Sequence, residues 1–400
     1  MKKEVFGNGL TVLYKHKPGN SVVVEVMIKV GSNCENNKER GMSHFIEHML
    51  FEGTEKRPTN WLISNEIEKI GGEFNAYTSN ERTCFYAKVQ KKHFNIAVDV
   101  LADIIKNPSF KEEYIKKEKN IVSKEIDLVN DEPRYYQWDF LQRTLFSKHP
   151  AKYPISGEKK VIQKITRKEV LKYFNKYYVP SNIIISIVGD VKSWKKTISE
   201  NFSLDKNGKV RKSKFVEPIA KFNVEKREKK KIVNTYSVLG FKTVNRGHKD
   251  SYVLDVINGV LGRGQSGRMF TEIRAKKGLA YEVGTQSISE PTYGYFAIYA
   301  TIDKKNVSLV KKMILEELEK LKTLKQKDLH DSKTYIEGDY LLEIEDGQKV
   351  ADQMLFWEQV KNAKLMDSYV REIKKVTLKD VSRVVNKYFK YHSFVVIEGK

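Results

Sequence analysis

The spacing of apolar residues changes its period along the chain. In 97–105 and 112–130 apolar side chains recur close to the helical period, so both stretches are predicted to be helices. In 83–89 and 293–301 aromatic and β-branched residues predominate, as expected of strands. The N-terminus leads through a charged start and an Asn-Gly turn into a further strand. This mixture predicts an α+β protein.

The same order of elements occurs twice. In the first half, 66–72 precedes a strand and the helix 97–105; in the second half, 272–278 precedes the strand 293–301 and the helix 307–315. Such an echo indicates two copies of one ancestral unit. Each copy is predicted to form a mostly antiparallel sheet with helices packed on one face.

The length of the chain also favours two domains. A chain of 400 residues exceeds the usual size of a single domain. The polar stretch 205–214 is the best linker candidate. We therefore predict a first domain over 1–205, a linker over 206–222 and a second domain over 223–400.

The composition limits location and partners. Lys and Arg exceed Asp and Glu by 73 to 51, which gives a formal charge of +22. Such an excess can mark nucleic-acid binding, but the lysines are scattered and no nucleic-acid motif is present, so no nucleic-acid partner is expected. No apolar run approaches the roughly 20 residues of a membrane span, and the N-terminus resembles no signal sequence. A soluble cytoplasmic protein is predicted.

The two cysteines predict no disulfide framework. Cys34 and Cys84 are the whole cysteine content of the sequence. Neither has a second thiol at short spacing, so both are interpreted as ordinary reduced thiols with no role in binding zinc.

One pentad carries the strongest chemical signal. His44-Phe-Ile-Glu-His48 places two imidazoles and the Glu47 carboxylate on one helix face. Two such histidines and an acid suggest zinc ligands with a general base, and H-x-x-E-H is the inverted form of H-E-x-x-H. By itself the pentad is equally compatible with solvated or helix-pairing side chains, so a third ligand is needed.

The helix predicted over 112–130 offers candidates for that ligand. Glu118 and Glu125 are seven residues apart and therefore share a face. Each lies beside apolar positions, where an unpaired carboxylate is costly to desolvate. The alternative is that both acids form ion pairs with basic neighbours, for which the candidates are Lys117, Lys124 and Arg134.

Four parts of the sequence together resemble the pitrilysin/insulinase family of zinc metallopeptidases: the stretches 41–54 and 71–78, Glu118 and Glu125. Within it, the chain is most similar to the small processing-peptidase branch, which includes the β subunit of mitochondrial processing peptidase. The resemblance implies one zinc per chain with Glu125 as the third ligand, and Glu118 as an outer acid that orients a ligand. It also implies an endopeptidase that hydrolyses unfolded or extended peptides by a metal-activated water, with Glu47 as general base.

The resemblance assigns further residues in the second copy. The stretch 250–261 has no histidine, so the metal site is expected once per chain. Arg274 and Tyr281 match residues that contact the substrate backbone and the developing oxyanion in the family. From the residues alone, a packing pair near a turn is the competing interpretation.

Peptide binding is expected along 71–79, which is an edge strand in the family. The binding candidates are Asn75, Ala76, Tyr77 and Thr78; an interior strand is the alternative. Processing peptidases that prefer arginine near the cleaved bond recognise it with acidic residues on the helix after the third ligand. Asp139 matches one of these acids. Tyr135 replaces a second such acid, so a strict arginine rule is not expected.

Family members of this length supply half of a substrate chamber. The resemblance therefore implies a dimer, formed with an identical chain or with an inactive paralogue. A non-catalytic core or chaperone-like subunit of a processing-peptidase complex is the alternative function. Such subunits typically have a damaged pentad, whereas this chain retains every expected ligand and the base.

Overall fold

The computed structural model describes residues 1–203, 208, 210 and 215–399. The strands are β1 (Lys2–Val5), β2 (Thr11–Lys15), β3 (Ser21–Ile28), β4 (Glu73–Thr78), β5 (Thr83–Gln90), β6 (Ile183–Gly189), β7 (Val224–Lys230), β8 (Thr235–Lys242), β9 (Ala280–Ser289), β10 (Gly294–Ile302) and β11 (Ser393–Gly399). The predicted strands 83–89 and 293–301 correspond to β5 and β10. Part of the predicted linker, 206–207, 209 and 211–214, lies outside the described residues.

The α-helices are α1 (Met42–Phe51), α2 (Asn60–Glu68), α3 (Phe94–Lys106), α4 (Glu112–Asp131), α5 (Pro133–Leu145), α6 (Lys159–Ile162), α7 (Arg167–Tyr177), α8 (Trp194–Asn201), α9 (Asp250–Gly262), α10 (Val307–Lys320), α11 (Gln326–Glu343), α12 (Gly347–Val360), α13 (Tyr369–Lys375) and α14 (Leu378–Tyr388). A π-helical segment covers Phe270–Ala275. The helices predicted over 97–105 and 112–130 correspond to α3 and α4. Within the described ranges, no helix combines the length and the apolar character that a bilayer crossing needs.

Internal contacts divide the chain into two compact units. The first unit comprises 1–127, 153–214 and 343–366, and the second comprises 128–152, 215–342 and 367–400. Each unit therefore includes one segment from the opposite half of the sequence. The first unit contains α12, and the second contains α5.

The first unit is built on a six-stranded sheet in the order β1-β2-β6-β3-β5-β4. The β2–β6 pair is parallel, and the other pairs are antiparallel. Side chains alternate between the faces of a strand, and one face of β3 enters the main core with Val22, Val24 and Val26. α12 packs against β3 and β6, where Ser186 on β6 contacts Met354 of α12.

The second unit repeats the strand order of the first. Its sheet runs β7-β11-β8-β10-β9, with one parallel pair, β7–β11, and antiparallel pairs elsewhere. The two sheets thus correspond strand by strand: β7 to β2, β11 to β6, β8 to β3, β10 to β5 and β9 to β4. α9 and α10 pack on the face that holds Leu239 and Phe296, and α5 packs on the other with Leu141 against Val238. This correspondence confirms two copies of one α+β unit.

The start of α1 is defined by a glycine and a buried acid. Gly41 has φ of 92° in the left-handed region, which favours glycine. The Glu35 carboxylate accepts hydrogen bonds from the backbone N–H groups of Gly41 and Ser43, each at 2.8 Å. These contacts satisfy donors that a helix start leaves unpaired. They fix the first turn immediately before His44.

Gly41→Ala is expected to destabilise the protein by about 2–4 kcal/mol, because it combines left-handed strain with a steric clash. A Cβ atom at this position would lie 2.6 Å from the backbone oxygen of Ser156. Urea unfolding followed by circular dichroism measures the change. Gly7→Ala is the control, since a Cβ there meets no atom within 4 Å. Equal unfolding midpoints for the two variants would contradict this account of α1.

Candidate metal centre

Three predicted ligands meet at one place in the first unit. His44 Nε2 lies 3.3 Å from His48 Nε2, and Glu125 Oε2 lies 3.7 Å and 3.5 Å from these two nitrogens. Ligands about 2.0–2.2 Å from a tetrahedral zinc are roughly 3.3–3.6 Å apart. The three atoms therefore match the edges of such a tetrahedron and leave a fourth corner open. We call His44, His48 and Glu125 the metal centre.

Helix periodicity explains how the chain presents these atoms. α1 buries Phe45, Ile46 and Met49 in the core, so the opposite side of the helix carries the two histidines. α4 buries Ile115, Val122 and Ile126 in the same core. Glu125 borders that apolar stripe and keeps 39% of its side chain exposed. Both ligand-bearing faces are thus set by the packing of their own helices.

Glu118 holds the second histidine from behind. Its Oε2 accepts a hydrogen bond from His48 Nδ1 at 3.0 Å, and its side chain is almost fully buried. A carboxylate on one ring nitrogen fixes the tautomer and orientation and leaves the other nitrogen for a metal. The other oxygen of Glu118 lies 3.7 Å from Lys117 Nζ. Glu118 therefore lies near Lys117, as the ion-pair alternative expected, and also contacts His48.

The protonation of the histidines suits metal binding. Burial and the neighbouring His48 lower the pKa of His44 to about 3, so its imidazole is neutral at pH 7. Burial alone would lower the pKa of His48 too, but the hydrogen bond that His48 donates to Glu118 and the charges of nearby carboxylates raise it overall. A ligand histidine must be deprotonated. His44 meets that condition without a metal, whereas the carboxylates around His48 favour its protonated form.

Glu47 lies beside the metal centre and is oriented by the sheet. The hydroxyl of Thr78, at the end of β4, donates a hydrogen bond to Glu47 Oε2. Burial raises the pKa of Glu47, whereas the hydrogen bond from Thr78 and the charge of His48 oppose the shift. A carboxylate with a raised pKa is a better proton acceptor, as a general base requires. The contact between Thr78 and Glu47 could not be found from sequence spacing, because it joins a strand to a distant helix.

The predicted peptide-binding residues lie on an edge strand. β4 ends the order of the first sheet, with β5 as its neighbour, which excludes the interior-strand alternative. Asn75 and Ala76 lie within this strand beside Thr78. The side chain of Tyr77 points to the opposite face, where its hydroxyl donates a hydrogen bond to Asp352. Among the four candidates, the structure brings Thr78 into contact with the pentad through Glu47.

The remaining predicted residues belong to the second unit. The Arg274 guanidinium stacks on Phe270, 4.9 Å from the ring centre, and Tyr281 near the start of β9 is 71% exposed. Asp139 lies on α5, where burial raises its pKa to about 6 against the opposing charge of Arg143. Tyr135 on the same helix is exposed. Their roles in catalysis and specificity stay predictions.

Glu118→Gln is expected to weaken zinc binding by about 10–100-fold, the usual effect of removing an outer carboxylate from a ligand histidine. Competition with a chromogenic chelator measures the affinity. Glu52→Gln is the matched control: Glu52 is a buried acid at the end of α1 that pairs with Lys117 at 2.8 Å. Equal zinc affinities in the two variants would show that the His48–Glu118 contact does not tune the metal centre.

Comparison with known proteins identifies relatives over nearly the whole chain. The family description "Insulinase (Peptidase family M16)" matches residues 11–159, and "Peptidase M16 inactive domain" matches 164–335. A Bacillus subtilis (strain 168) protein called "Uncharacterized zinc protease YmxG" is 32% identical, over 97% of this chain and 96% of its own length. A Rickettsia felis "Uncharacterized zinc protease" is 34% identical, over 84% of this chain and 82% of its own.

Solved structures share the fold. The crystal structure of a protease from Helicobacter pylori superposes with a TM-score of 0.94 at 24% identity and covers 99% of both chains. A structure from Pseudomonas fluorescens, described as a peptidase M16 inactive domain, has a TM-score of 0.91 at 19% identity and covers 100% of this chain and 98% of its own. The two-unit architecture is therefore common to this chain and these proteins.

Proposed function

Because the chain belongs to the insulinase family, peptidase family M16, we propose that it is a zinc-dependent endopeptidase that hydrolyses unfolded or extended peptides. The observation that carries this proposal is the metal centre with Glu47 beside it. Three ligand atoms 3.3–3.7 Å apart and a buried, oriented carboxylate provide the parts that metal-assisted hydrolysis needs.

His44, His48 and Glu125 would hold one zinc ion at this centre. When bound, zinc supplies a Lewis acid that polarises a carbonyl group and lowers the pKa of water. The residues of the chain have separate tasks around it. Glu118 keeps the His48 ring in its orientation, and the buried face of α1 keeps His44 and His48 one helical turn apart.

Glu47 would transfer the proton. Its carboxylate accepts a proton from the attacking water and then donates it to the nitrogen of the leaving amine, so it ends the cycle in its starting form. Thr78 donates to one oxygen of the carboxylate and leaves the other for the water. This arrangement couples the position of the base to the edge strand β4.

The same strand would position the substrate. The outer edge of β4 is the end of the first sheet in the described chain, so an extended peptide can pair with its backbone. Pairing through the backbone of Asn75, Ala76 and Thr78 tolerates many substrate side chains. It also requires an extended segment, which a folded domain does not offer. We therefore expect unfolded polypeptides and presequence-like peptides to be cut, as in the small processing-peptidase branch.

A mixed pool of unfolded peptides tests the activity. The zinc-loaded protein is expected to cut the pool, and mass spectrometry of the products gives the positions of the cuts. Removal of zinc with a chelator should abolish cleavage, and re-addition should restore it. A folded protein domain of the same composition is the control substrate and should remain intact. If the zinc-loaded protein cuts nothing, the non-catalytic subunit becomes the better interpretation.

The resemblance assigns oxyanion stabilisation to Tyr281 and Arg274. Loss of one such donor typically lowers turnover by about 10²–10³-fold, so Tyr281→Phe is expected to reduce kcat and leave zinc content unchanged. Tyr335→Phe provides a control, since Tyr335 is an exposed tyrosine on α11 of the same unit. Unchanged kcat in Tyr281→Phe would favour a packing role for this residue.

The implied dimer is a separate proposal. Light scattering on the purified chain should give twice the mass of 46.5 kDa if identical chains associate. A monomeric mass would exclude the homodimer and leave a dimer with an inactive paralogue. Co-purification from the native cell would then identify that partner.

A further inference from the structure

A second group of ligand-type side chains lies between the first sheet and α12. Glu25 of β3, Cys84 of β5 and Asp352 of α12 place one potential ligand atom each within 4.8 Å of the others. We call these three residues the Glu25 cluster. Glu25 alternates along β3 with Val24 and Val26, which enter the main core. The Glu25 cluster therefore lies on the opposite face of the sheet from α1 and the metal centre.

Glu25 is the unusual member of this group. Its side chain is fully buried, and neither carboxylate oxygen has a hydrogen-bond partner among residues 1–203, 208, 210 and 215–399. A buried carboxylate without partners costs several kcal/mol unless it is neutralised by a proton or a cation. Burial, and then the charge of Asp352, raise the pKa of Glu25 well above its usual value, although the charges of Arg82 and Lys349 and a contact with the Cys84 thiol oppose the rise. The side chain is aimed at a place where a positive charge would be stabilised.

The other two members supply chemically different ligands. Cys84 is fully buried, and burial and then the charge of Glu25 raise the pKa of its thiol. Asp352 keeps 26% of its side chain exposed and accepts a hydrogen bond from Tyr77. Arg82 donates to the same tyrosine oxygen at 3.2 Å and lies 4.0 Å from Asp352. The Glu25 cluster thus consists of two carboxylates and a thiol, with the Arg82 guanidinium beside it.

From this geometry we propose that Glu25, Cys84 and Asp352 form a second metal site, which takes a thiophilic divalent cation such as zinc. Thiolate and carboxylate are both established zinc ligands, and the soft sulfur disfavours magnesium and calcium. Zinc at about 2.0–2.3 Å from each atom needs the ligand atoms roughly 3.5 Å apart. The three ligand atoms, which lie within 4.8 Å of one another, would therefore have to move closer together when the cation binds. Asp352 is the member of the cluster whose side chain is in partial contact with solvent.

The charges and protons balance in this proposal. Without metal, burial favours the neutral forms of the Glu25 carboxyl and the Cys84 thiol, because it raises the pKa of both groups. The binding of one divalent cation releases both protons to solvent and forms bonds to the Glu25 oxygen, the Cys84 sulfur and the Asp352 oxygen. The three anionic ligands and the cation then carry a net charge of −1, and the charges of Arg82 and Lys349 act on the site from nearby. Binding should consequently weaken as pH falls, by up to two protons per cation.

The expectation from sequence was that neither cysteine binds zinc. It rested on the absence of a second thiol near Cys84 along the chain. The structure instead brings two carboxylates to Cys84 from β3 and α12, which are far from it in sequence. The second site does not depend on peptidase activity, because it shares no ligand with the metal centre.

Cobalt substitution distinguishes the two sites. Cobalt bound to a thiolate has an intense near-ultraviolet charge-transfer absorption, whereas the metal centre has only nitrogen and oxygen ligands. The apo protein titrated with Co²⁺ is expected to develop that band and to saturate near two cobalt ions per chain. His44→Ala should retain the band and lose one cobalt. Cys84→Ser should lose the band, retain one cobalt and keep its peptidase activity.

Cys34→Ser is the matched control, because Cys34 is the other free thiol and belongs to no group of metal-ligand side chains among the residues that the structure describes. It should retain both the band and the stoichiometry. The titration of the wild-type protein needs no variant to fold, so it decides the question alone. Saturation at one cobalt without a thiolate band would overturn the second site and leave Glu25 as a buried protonated acid. Loss of the band in Cys34→Ser would equally overturn the assignment to Cys84.

Discussion

Glu47→Gln is expected to lower peptide hydrolysis by about 10²–10⁴-fold while zinc binding is preserved. The substitution keeps the shape of the side chain, and the amide oxygen of Gln can still accept the hydrogen bond from Thr78. The amide cannot accept a proton from water, so only the transfer step is lost. Because Glu47 is not one of the three atoms of the metal centre, the affinity for zinc should change little.

The measurement combines two assays on the same preparation. Single-turnover cleavage of an unfolded peptide gives the rate, and plasma mass spectrometry gives the zinc content. Glu66→Gln serves as the matched control, since Glu66 is an acid on α2 that pairs with Lys69. Equal cleavage by Glu47→Gln and the wild type would rule out Glu47 as the base. Loss of zinc in Glu47→Gln would instead make Glu47 part of the metal centre.

The metal centre was accessible from the sequence because each of its faces belongs to a single helix. The spacing of His44 and His48 fixes their side of α1, and the spacing of Glu118 and Glu125 fixes their side of α4. Apolar neighbours on both helices determine which side enters the core. Helical periodicity therefore predicted the two faces. The resemblance to a family supplied the further step that the two faces meet.

Contacts between strands and distant helices could not be predicted from helical periodicity. Thr78 was predicted to bind substrate, but its hydroxyl contacts Glu47 across 31 positions of sequence. The placement of α5 in the second unit and α12 in the first was also not predicted. An amphipathic helix signals that one face is buried, but its pattern does not say which sheet covers that face.

The Glu25 cluster also depends on contacts between distant elements, but one of its residues could have been noticed in the sequence. Glu25 interrupts the apolar run of β3, Val22-Val-Val-Glu-Val-Met-Ile28. A charged residue in the middle of a strand with buried neighbours needs a partner. That signal could have marked Glu25 as unusual. It could not have named Cys84 or Asp352, which reach it only through the pairing of β3 with β5 and the packing of α12.

The second copy shows what the same helix does without a metal. α9 corresponds to α1, and its polar side chains form structural contacts. Asp250 accepts hydrogen bonds from Arg383 and Tyr388 at 2.8 Å and 2.7 Å, and Asp255 pairs with Arg246 at 2.6 Å. Polar groups that are buried or half-buried on such a helix must be satisfied in either copy. In the first copy a cation can meet that requirement, and in the second copy arginine and tyrosine meet it.

Glu125→Ala is expected to reduce zinc affinity at the metal centre by more than the 10–100-fold predicted for Glu118→Gln, because it removes a ligand atom and the negative charge of the centre. The half-exposed position on α4 and the high helix propensity of alanine should preserve the fold.

The experiment uses the Cys84→Ser background, so that the Glu25 cluster contributes no zinc. Asp127→Ala is the control, since Asp127 lies two residues further along α4 and pairs with Lys159 at the surface. Chelator competition should leave Asp127→Ala with about one zinc per chain and Glu125→Ala with almost none. Retention of zinc by Glu125→Ala at unchanged affinity would mean that Glu125 is not the third ligand of the metal centre.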